Sequence, residues 1–465
     1  MCKITINNQQ FNVSSGKLLS EVLIDNGFSV AHTCGGRGAC GKCMVIVNGA
    51  SVLSCRYVIN SDITVDLPLN SDVESVTGAE CTGMLSTKMC YALDIGTTTL
   101  ALALVSLDNK EVINVATCTN PQVAFGGDVI SRIDYCRNNS VTELQKSVVE
   151  GINSLINRLG NIGCDEMYVS GNTTMLHLLF GKDPTSMGVA PYTPEFLGSQ
   201  TLNAQKLGVN CINNIISLPC ISAFVGADIV AGLNWVDKPQ NSKYNLLVDL
   251  GTNAEVVLFS ENEILCTSAA AGPCFEGANI SCGMSATDGA IYSFELKNNT
   301  PVFRTISDRE TAGICGTGLV DIISELRDNN IIDETGYMDC ETYHIAENVY
   351  INQKDIRQYQ LAKSAVYSAI VTLLELAEIT FEKIEKIYIS GGFSSKINIE
   401  NAVKTGLLPR LLKEKTIPIK NSSLLGTVKY SIEKNQLQKY LQNAKYIDLS
   451  LNPRFSEFFI DNMEF

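Results

Sequence analysis

Cys34-Gly35-Gly36-Arg37-Gly38-Ala39-Cys40-Gly41-Lys42-Cys43, followed by Cys55, is the stretch from which the fold is read. Five residues separate the first two cysteines, two the next pair, and eleven precede the last. Four thiolates are the usual ligand set of an iron–sulfur cluster. Soft sulfur donors suit iron and zinc far better than magnesium or calcium. The glycines discriminate further. They let a short loop wrap tightly and turn backbone N–H groups inward, where a negatively charged cluster benefits from donors. A zinc site usually pairs two short knuckles, whereas three of the ligands here share one loop. Zinc, or cysteines that merely pack, is the alternative.

The spacing resembles that of plant-type [2Fe–2S] ferredoxins, which run C-x4-C-x2-C, with one extra residue in the first gap and a short final gap. The resemblance implies a [2Fe–2S] cluster on Cys34, Cys40, Cys43 and Cys55, and one-electron transfer as the work of the first seventy or so residues. The flanking pattern agrees. Residues 3–7 and 11–13 read as a hairpin, and 18–26 as an amphipathic helix ended by Gly27. Residues 44–47, 51–57 and 63–67 read as strands, with Cys55 on the second of these. This order suits an α+β, β-grasp ferredoxin fold over residues 1–74. A polar link, 75–89, follows.

The 465 residues are enough for about three domains, and 45% hydrophobic with 18% charged residues is an ordinary globular balance. The net charge of −14 argues against general nucleic-acid or acidic-membrane binding, which needs a basic face. The first 74 residues hold five Lys/Arg and six Asp/Glu, so the acidity lies elsewhere. Seventeen cysteines is a high count. Those outside the loop (Cys118, Cys136, Cys164, Cys211, Cys220, Cys266, Cys282, Cys340) read as reduced thiols packing as small apolar groups. With a start that reads as a strand rather than a signal peptide, they suit the reducing cytoplasm of an anaerobe. No apolar run reaches membrane-spanning length; 361–381 is interrupted by Lys363, Glu375 and Glu378 and reads as a core-facing helix.

From Cys90 the texture changes. Tyr91-Ala92-Leu93-Asp94-Ile95-Gly96-Thr97-Thr98-Thr99 is an apolar strand running into Asp-x-Gly-Thr, and 100–107 continues apolar. Asn245-Leu246-Leu247-Val248-Asp249-Leu250-Gly251-Thr252-Asn253 repeats the pattern. Each copy has a later partner strand ending in Ser-Gly, at Ser170-Gly171 and Ser390-Gly391. The chain beyond residue 90 therefore reads as a duplicated α/β unit, 90–243 and 244–465, with a nucleotide cleft between its halves. The turns at Gly96, Thr97 and Thr98 and at Gly251, Thr252 and Asn253 put small residues and unused N–H groups where a phosphate can approach. Asp94 and Asp249 stand at strand ends, placed to hold a hydrated Mg²⁺, which keeps waters and takes few carboxylates. Gly391 and Gly392 would let a nucleoside lie against backbone. Gly316 and Gly318 open a helix, where they can bind phosphate or allow close packing.

The order Asp-x-Gly-Thr, Asp-x-Gly-Thr, Gly-Thr-Gly, Ser-Gly-Gly resembles the acetate and sugar kinase, heat-shock chaperone and actin superfamily of ATPases. With the cluster loop added, the chain resembles the reductive activators of corrinoid proteins. Gly171-Asn172-Thr173-Thr174-Met175, Ala190-Pro191-Tyr192, Gly226-Ala227-Asp228, Ala271-Gly272-Pro273 and Asp355-Ile356-Arg357 carry the likeness. It implies ATP and Mg²⁺ as cofactors and a corrinoid protein of a methyltransferase or demethylase system as partner. One electron would pass from the cluster to Co(II), giving Co(I), with a low-potential donor upstream; a homodimer is an open alternative to a monomer. Longer members carry a linker domain where this chain has about twenty residues. An iron–sulfur-sensing small-molecule kinase and an electron-carrying scaffold are the rival readings. Asp228 and Glu276 are candidates to orient a hydrolytic water, with capping as the plainer role. His177, on an apolar helix, reads as a satisfied core histidine, and Arg37 as either a tuner of the cluster or a surface arginine.

Overall fold

The computed structural model describes residues 2–6, 9–26, 43–66, 87–240, 243–392, 394–434, 437 and 441–465. Cys34, Cys40, Arg37 and His32 lie outside the described residues, as do residues 67–86, which include most of the link 75–89, and Phe393.

Strand alternation builds the first sheet. β1 (Cys2–Ile6) buries Cys2, Ile4 and Ile6 and exposes Lys3, the period-two signature of a strand with one face on a core. It pairs antiparallel with β2 (Gln9–Val13). β3 (Met44–Val47), β4 (Ala50–Leu53) and β5 (Ile63–Asp66) complete the order β2-β1-β5-β3-β4. The helix α1 (Leu19–Asp25) lays Leu19, Val22 and Leu23 into the core that also holds Ile59 and Val65. This is a β-grasp. One expectation is corrected: the strand expected over 51–57 ends at Leu53. Arg56 N and Tyr57 N both donate to Leu53 O, at 2.9 and 3.0 Å, so Cys55 sits in a turn rather than on a strand.

Two six-stranded sheets dominate the remaining described chain and share the order of their central strands. In the first, β6 (Met89–Ile95), β7 (Thr99–Ser106) and β8 (Glu111–Thr119) are an antiparallel meander. The helices α2 (Val129–Asn138) and α3 (Val141–Arg158) lead to β9 (Cys164–Gly171), which pairs parallel with β6. After α4 (Thr173–Leu179), β10 (Thr201–Asn203) and α5 (Ala204–Leu207), β11 (Ile212–Ser217) pairs parallel with β9. The helix α6 (Ala227–Trp235) precedes the second meander, β12 (Tyr244–Leu250), β13 (Ala254–Phe259) and β14 (Ile264–Ala269). A small sheet of β15 (Ala290–Lys297), β16 (Thr300–Thr305) and β17 (Gly313–Ile314) leads into α7 (Gly316–Asp328). A hairpin of β18 (Thr342–Ala346) and β19 (Val349–Asn352) opens α8 (Gln353–Leu376). Then β20 (Ile384–Ser390) pairs parallel with β12, and after α9 (Ile399–Lys404), β21 (Thr416–Pro418) pairs parallel with β20. The chain closes through α10 (Ser422–Glu433), β22 (Ala444–Tyr446) and α11 (Pro453–Asp461).

The two meanders, β6 to β8 and β12 to β14, thus each receive a parallel strand on their first member and another beyond it. Two compact units divide between Ser217 and Leu218. Packing groups residues 218–240 with the second unit, where α6 seats on α10. That seat is backbone against backbone. A Cβ added at Gly426 would lie 1.7 Å from the Ala231 carbonyl oxygen, and Asn234 Nδ2 donates to Gly426 O at 3.0 Å. The same α6 carries Asp228 in its first turn. No helix among the described residues is long and apolar enough to cross a membrane. The α8 helix buries one face, including Ile356, Tyr359, Val366 and Ile370.

Gly426→Ala should lower stability by about 1–3 kcal/mol, the usual cost of overpacking a tight core. Urea denaturation checks this, and an unchanged midpoint would refute backbone contact at that crossing.

Candidate functional site: an iron–sulfur loop and two phosphate turns

The β3–β4 hairpin brings the two described loop cysteines to one end. Ser54 N donates to Cys43 O at 2.9 Å, so Cys43 and Cys55 flank the last bond of the hairpin, and both are buried. Two thiols at one hairpin end fit half of a four-thiolate set. The scattered cysteines behave differently. Burial pushes the Cys136 thiol up to about 11 and Cys164, Cys266 and Cys274 to about 12, which makes them poor ligands and nucleophiles. Cys211 and Cys340 are exposed, so the expectation that all of these pack is corrected for that pair.

The first turn follows β6. Register places Asp94 beside Ser170 and Ile95 beside Gly171. A Cβ on Gly171 would lie 2.8 Å from Ile95 O, so only glycine, at φ 154°, lets β9 end this close. Gly96 N donates to Thr99 O at 2.9 Å and tightens the turn. Its carbonyls are all tied back. Asn120 Nδ2 donates to Gly96 O at 2.8 Å, Arg132 Nη2 to Thr97 O, and Asn120 N to Thr98 O at 2.8 Å. Asn172, which caps α4, also donates to Thr97 Oγ1 at 3.1 Å. The N–H groups of Thr97 and Thr98 donate to no other group among the described residues. A turn with its oxygens occupied and its N–H edge open is an anion site in form.

The second turn repeats this frame with different charge. Asp249 stands beside Ser390 in the parallel pair, and Ser390 Oγ donates to Asp249 Oδ2 at 2.5 Å. Gly391, at φ 110°, lies where a Cβ would be 2.2 Å from Leu250 O, the counterpart of Gly171 against Ile95. Gly251 N donates to Asn253 O at 3.0 Å, and Thr252 Oγ1 to Glu276 Oε2 at 2.7 Å. Directly across the strands, Asp249 faces Glu255, where Asp94 faces Ala101. Burial and the charges of Asp228 and Asp249 push Glu255 well above the ordinary carboxylate range, although Ser268 Oγ donates to it at 2.9 Å. Burial pushes Asp249 up too, against the Ser390 hydrogen bond, with Glu276 adding to the rise. Asp228, Asp249, Glu255 and Glu276 thus share one electrostatic neighbourhood. The negative charge of such a set is relieved by a nearby cation.

Other expected positions separate by environment. Gly392 faces open space, as a backbone platform for a nucleoside requires. Gly316 and Gly318 stand at close backbone crossings. A Cβ on either would lie 2.1 Å from a carbonyl oxygen, of Phe275 and Ile291 respectively, so these glycines let α7 pack. His177 is a core histidine: Nδ1 donates to Thr173 O at 2.7 Å, and Nε2 accepts from Glu195 N at 3.0 Å. A cavity of about 880 Å³, touched by Asp237, Asn245, Lys386 and Lys429, lies at the starts of β12 and β20, the ends opposite Asp249 and Ser390. It is not the phosphate site. Sequence reasoning missed Glu255 and the braces Asn120 and Arg132.

Comparison with known proteins decides among the readings. A 2Fe-2S iron-sulfur cluster binding domain matches residues 4–66, the RACo middle region 89–237, and the C-terminal domain of RACo, the ASKHA domain, 243–465. The chain belongs to the RACo family. A corrinoid activation enzyme, RamQ of Eubacterium limosum, is 27% identical across 98% of each chain. A Co(II) methylated amine-specific corrinoid protein reductase of Methanosarcina barkeri is 25% identical over 80% of this chain and 76% of its own. The solved structure of a reductive activator for corrinoid, iron-sulfur protein shares the fold, with a TM-score of 0.73 at 24% identity over 100% of this chain and 98% of that one.

Within this RACo chain, Cys43→Ser and Cys55→Ser should each bleach or distort the visible spectrum of the anaerobically purified protein, whereas Cys266→Ser should not; equal spectra would refute the ligand set. Burial holds His177 below its ordinary value near 6.5. A base with a lowered folded pKa keeps its stabilisation above that value and loses it as pH falls through and below it. The melting temperature should therefore drop between pH 7 and pH 5, and less steeply in His177→Gln. The same slope in both proteins would contradict this.

Proposed function

We propose that this chain is an ATP-dependent reductive activator of a corrinoid protein, yielding Co(I) from the partner's Co(II). The observation that carries the reading is one chain combining a ferredoxin-type domain with two turns of matching Asp–Ser–Gly geometry. The relatives' corrinoid substrates support the choice of partner. A [2Fe–2S] cluster held by Cys34, Cys40, Cys43 and Cys55 supplies one-electron transfer when bound.

The chain's own residues then divide the nucleotide's needs. Thr97 and Thr98, and Thr252 and Asn253, offer N–H donors to phosphate oxygens. Asp94 and Asp249 each offer a carboxylate to a hydrated Mg²⁺. Gly391 and Gly392 give the nucleoside a bare backbone surface. Glu276, which accepts from Thr252 Oγ1, and Asp228 are the two candidates to orient the attacking water. Nucleotide is needed because reduction to Co(I) is uphill: each factor of ten against it is about 59 mV for one electron. A nucleotide that binds one conformation better shifts the population toward it by that difference in affinity. The favoured state would be one in which the partner's cobalt is easier to reduce. The setting is the cytoplasm of an anaerobe, with a low-potential electron donor.

With reductant, Mg·ATP and the cognate corrinoid protein as Co(II), Co(I) should appear in the absorption spectrum, and omitting ATP should slow it at least tenfold. Asp249→Ala should keep a reducible cluster yet fail with the partner; Cys43→Ser should bind ATP yet give no Co(I). Full rate and extent without ATP would defeat the proposal.

A further inference from the structure

Arg132 is the largest fully buried side chain of the described residues, with no exposed surface. It sits one turn into α2, and all of its partners are neutral. Nε donates to Gly126 O at 2.9 Å, Nη1 to Gln122 Oε1 at 3.2 Å and to Met175 Sδ at 2.9 Å, and Nη2 to Thr97 O. The structure gives it no ion pair among the described residues. The carboxylate whose charge acts on it, Asp128, is engaged in capping α2, where Ser131 N donates to it at 2.7 Å. A buried guanidinium without a bonded carboxylate is costly, and a neutral side chain of the same length would fill the space at less cost.

We propose that Arg132 is a positioning residue for the nucleotide's phosphates: a fixed positive charge behind the first turn, acting through Thr97. This rests on the nucleotide reading above. Three observations converge on it. The guanidinium reaches the turn from behind and holds the Thr97 carbonyl inward. Its neighbours Asn120 and Gln122, both buried, complete the brace, and Gln122 Nε2 is fixed by Leu144 O at 2.9 Å. The second turn, of the same frame, has carboxylates in place of any such cation. The first turn therefore has a cation behind its N–H edge that the second lacks, and this favours phosphate oxygens at the first. The charge sits in a water-excluded position, where it is weakly screened and acts strongly on an anion at the N–H edge.

The test measures binding of Mg·ATP and of adenosine to the full chain, alongside melting without nucleotide, for the parent, Arg132→Met and Arg132→Lys. Arg132→Met should bind Mg·ATP at least tenfold more weakly while adenosine affinity and the cluster spectrum stay at parent values. Arg132→Lys, which keeps the charge and loses the fork, should stay within about threefold of the parent. Parent-like Mg·ATP binding by Arg132→Met overturns the inference, as does an equal loss for adenosine and Mg·ATP, which marks a merely structural brace. Should Arg132→Met fail to fold, a folded Arg132→Lys that loses tenfold overturns it and one within threefold supports it. A parent chain that binds no Mg·ATP defeats the nucleotide reading as well; a fault of this inference alone leaves the parent's binding intact.

Discussion

Everything at the two Asp-x-Gly-Thr turns depends on the parallel pairing of a Ser-Gly strand end with an Asp-bearing strand. In β12 and β20 the register sets Ser390 beside Asp249 and packs Gly391 onto the Leu250 carbonyl. In β6 and β9 it sets Ser170 beside Asp94 and Gly171 onto Ile95. A side chain at either glycine would push the strand ends apart, and the carboxylate and the following turn would no longer share one edge. The apolar lengths of the strands supply the burial that holds this pairing together.

On that common frame the two copies have diverged in charge. The first turn spans Gly96 to Thr99 between its paired strand residues and is backed by a buried guanidinium. The second is shorter by one residue, from Gly251 to Asn253, and faces Glu255, Glu276 and Asp228. Burial magnifies both effects, because charge away from water is weakly screened. The glycines of α7 serve the same architecture from further off: Gly316 and Gly318 let the helix close on Phe275 and Ile291, next to Glu276.

Much of this was legible in the sequence. Two Asp-x-Gly-Thr turns, each with a later Ser-Gly, announce the duplication because strand ends and tight turns demand those residue types locally. The β-grasp was readable from alternation and from the cysteine spacing. Arg132 was not, because a charged residue in Val129-Ile130-Ser131-Arg132-Ile133 looks like any solvated helix position until packing shows where it points. Glu255 gave a fainter signal, a lone carboxylate opening an otherwise apolar strand. Cys55 was misplaced onto a strand because β-propensity continues through Tyr57, while the turn bonds to Leu53 are a tertiary outcome. The grouping of residues 218–240 with the second unit follows from the α6–α10 seat, which depends on a glycine contact nearly two hundred residues along the chain.

The central claim is that nucleotide chemistry and electron transfer are one process in this chain. Its most direct test is the steady-state rate of ATP hydrolysis by the reduced, cluster-loaded protein, with and without its Co(II) corrinoid partner. The account predicts that the partner accelerates hydrolysis, with the acceleration saturating as partner concentration rises. Hydrolysis at the same rate with and without partner, alongside normal Co(I) formation, would contradict it and leave the ATPase fold as a scaffold.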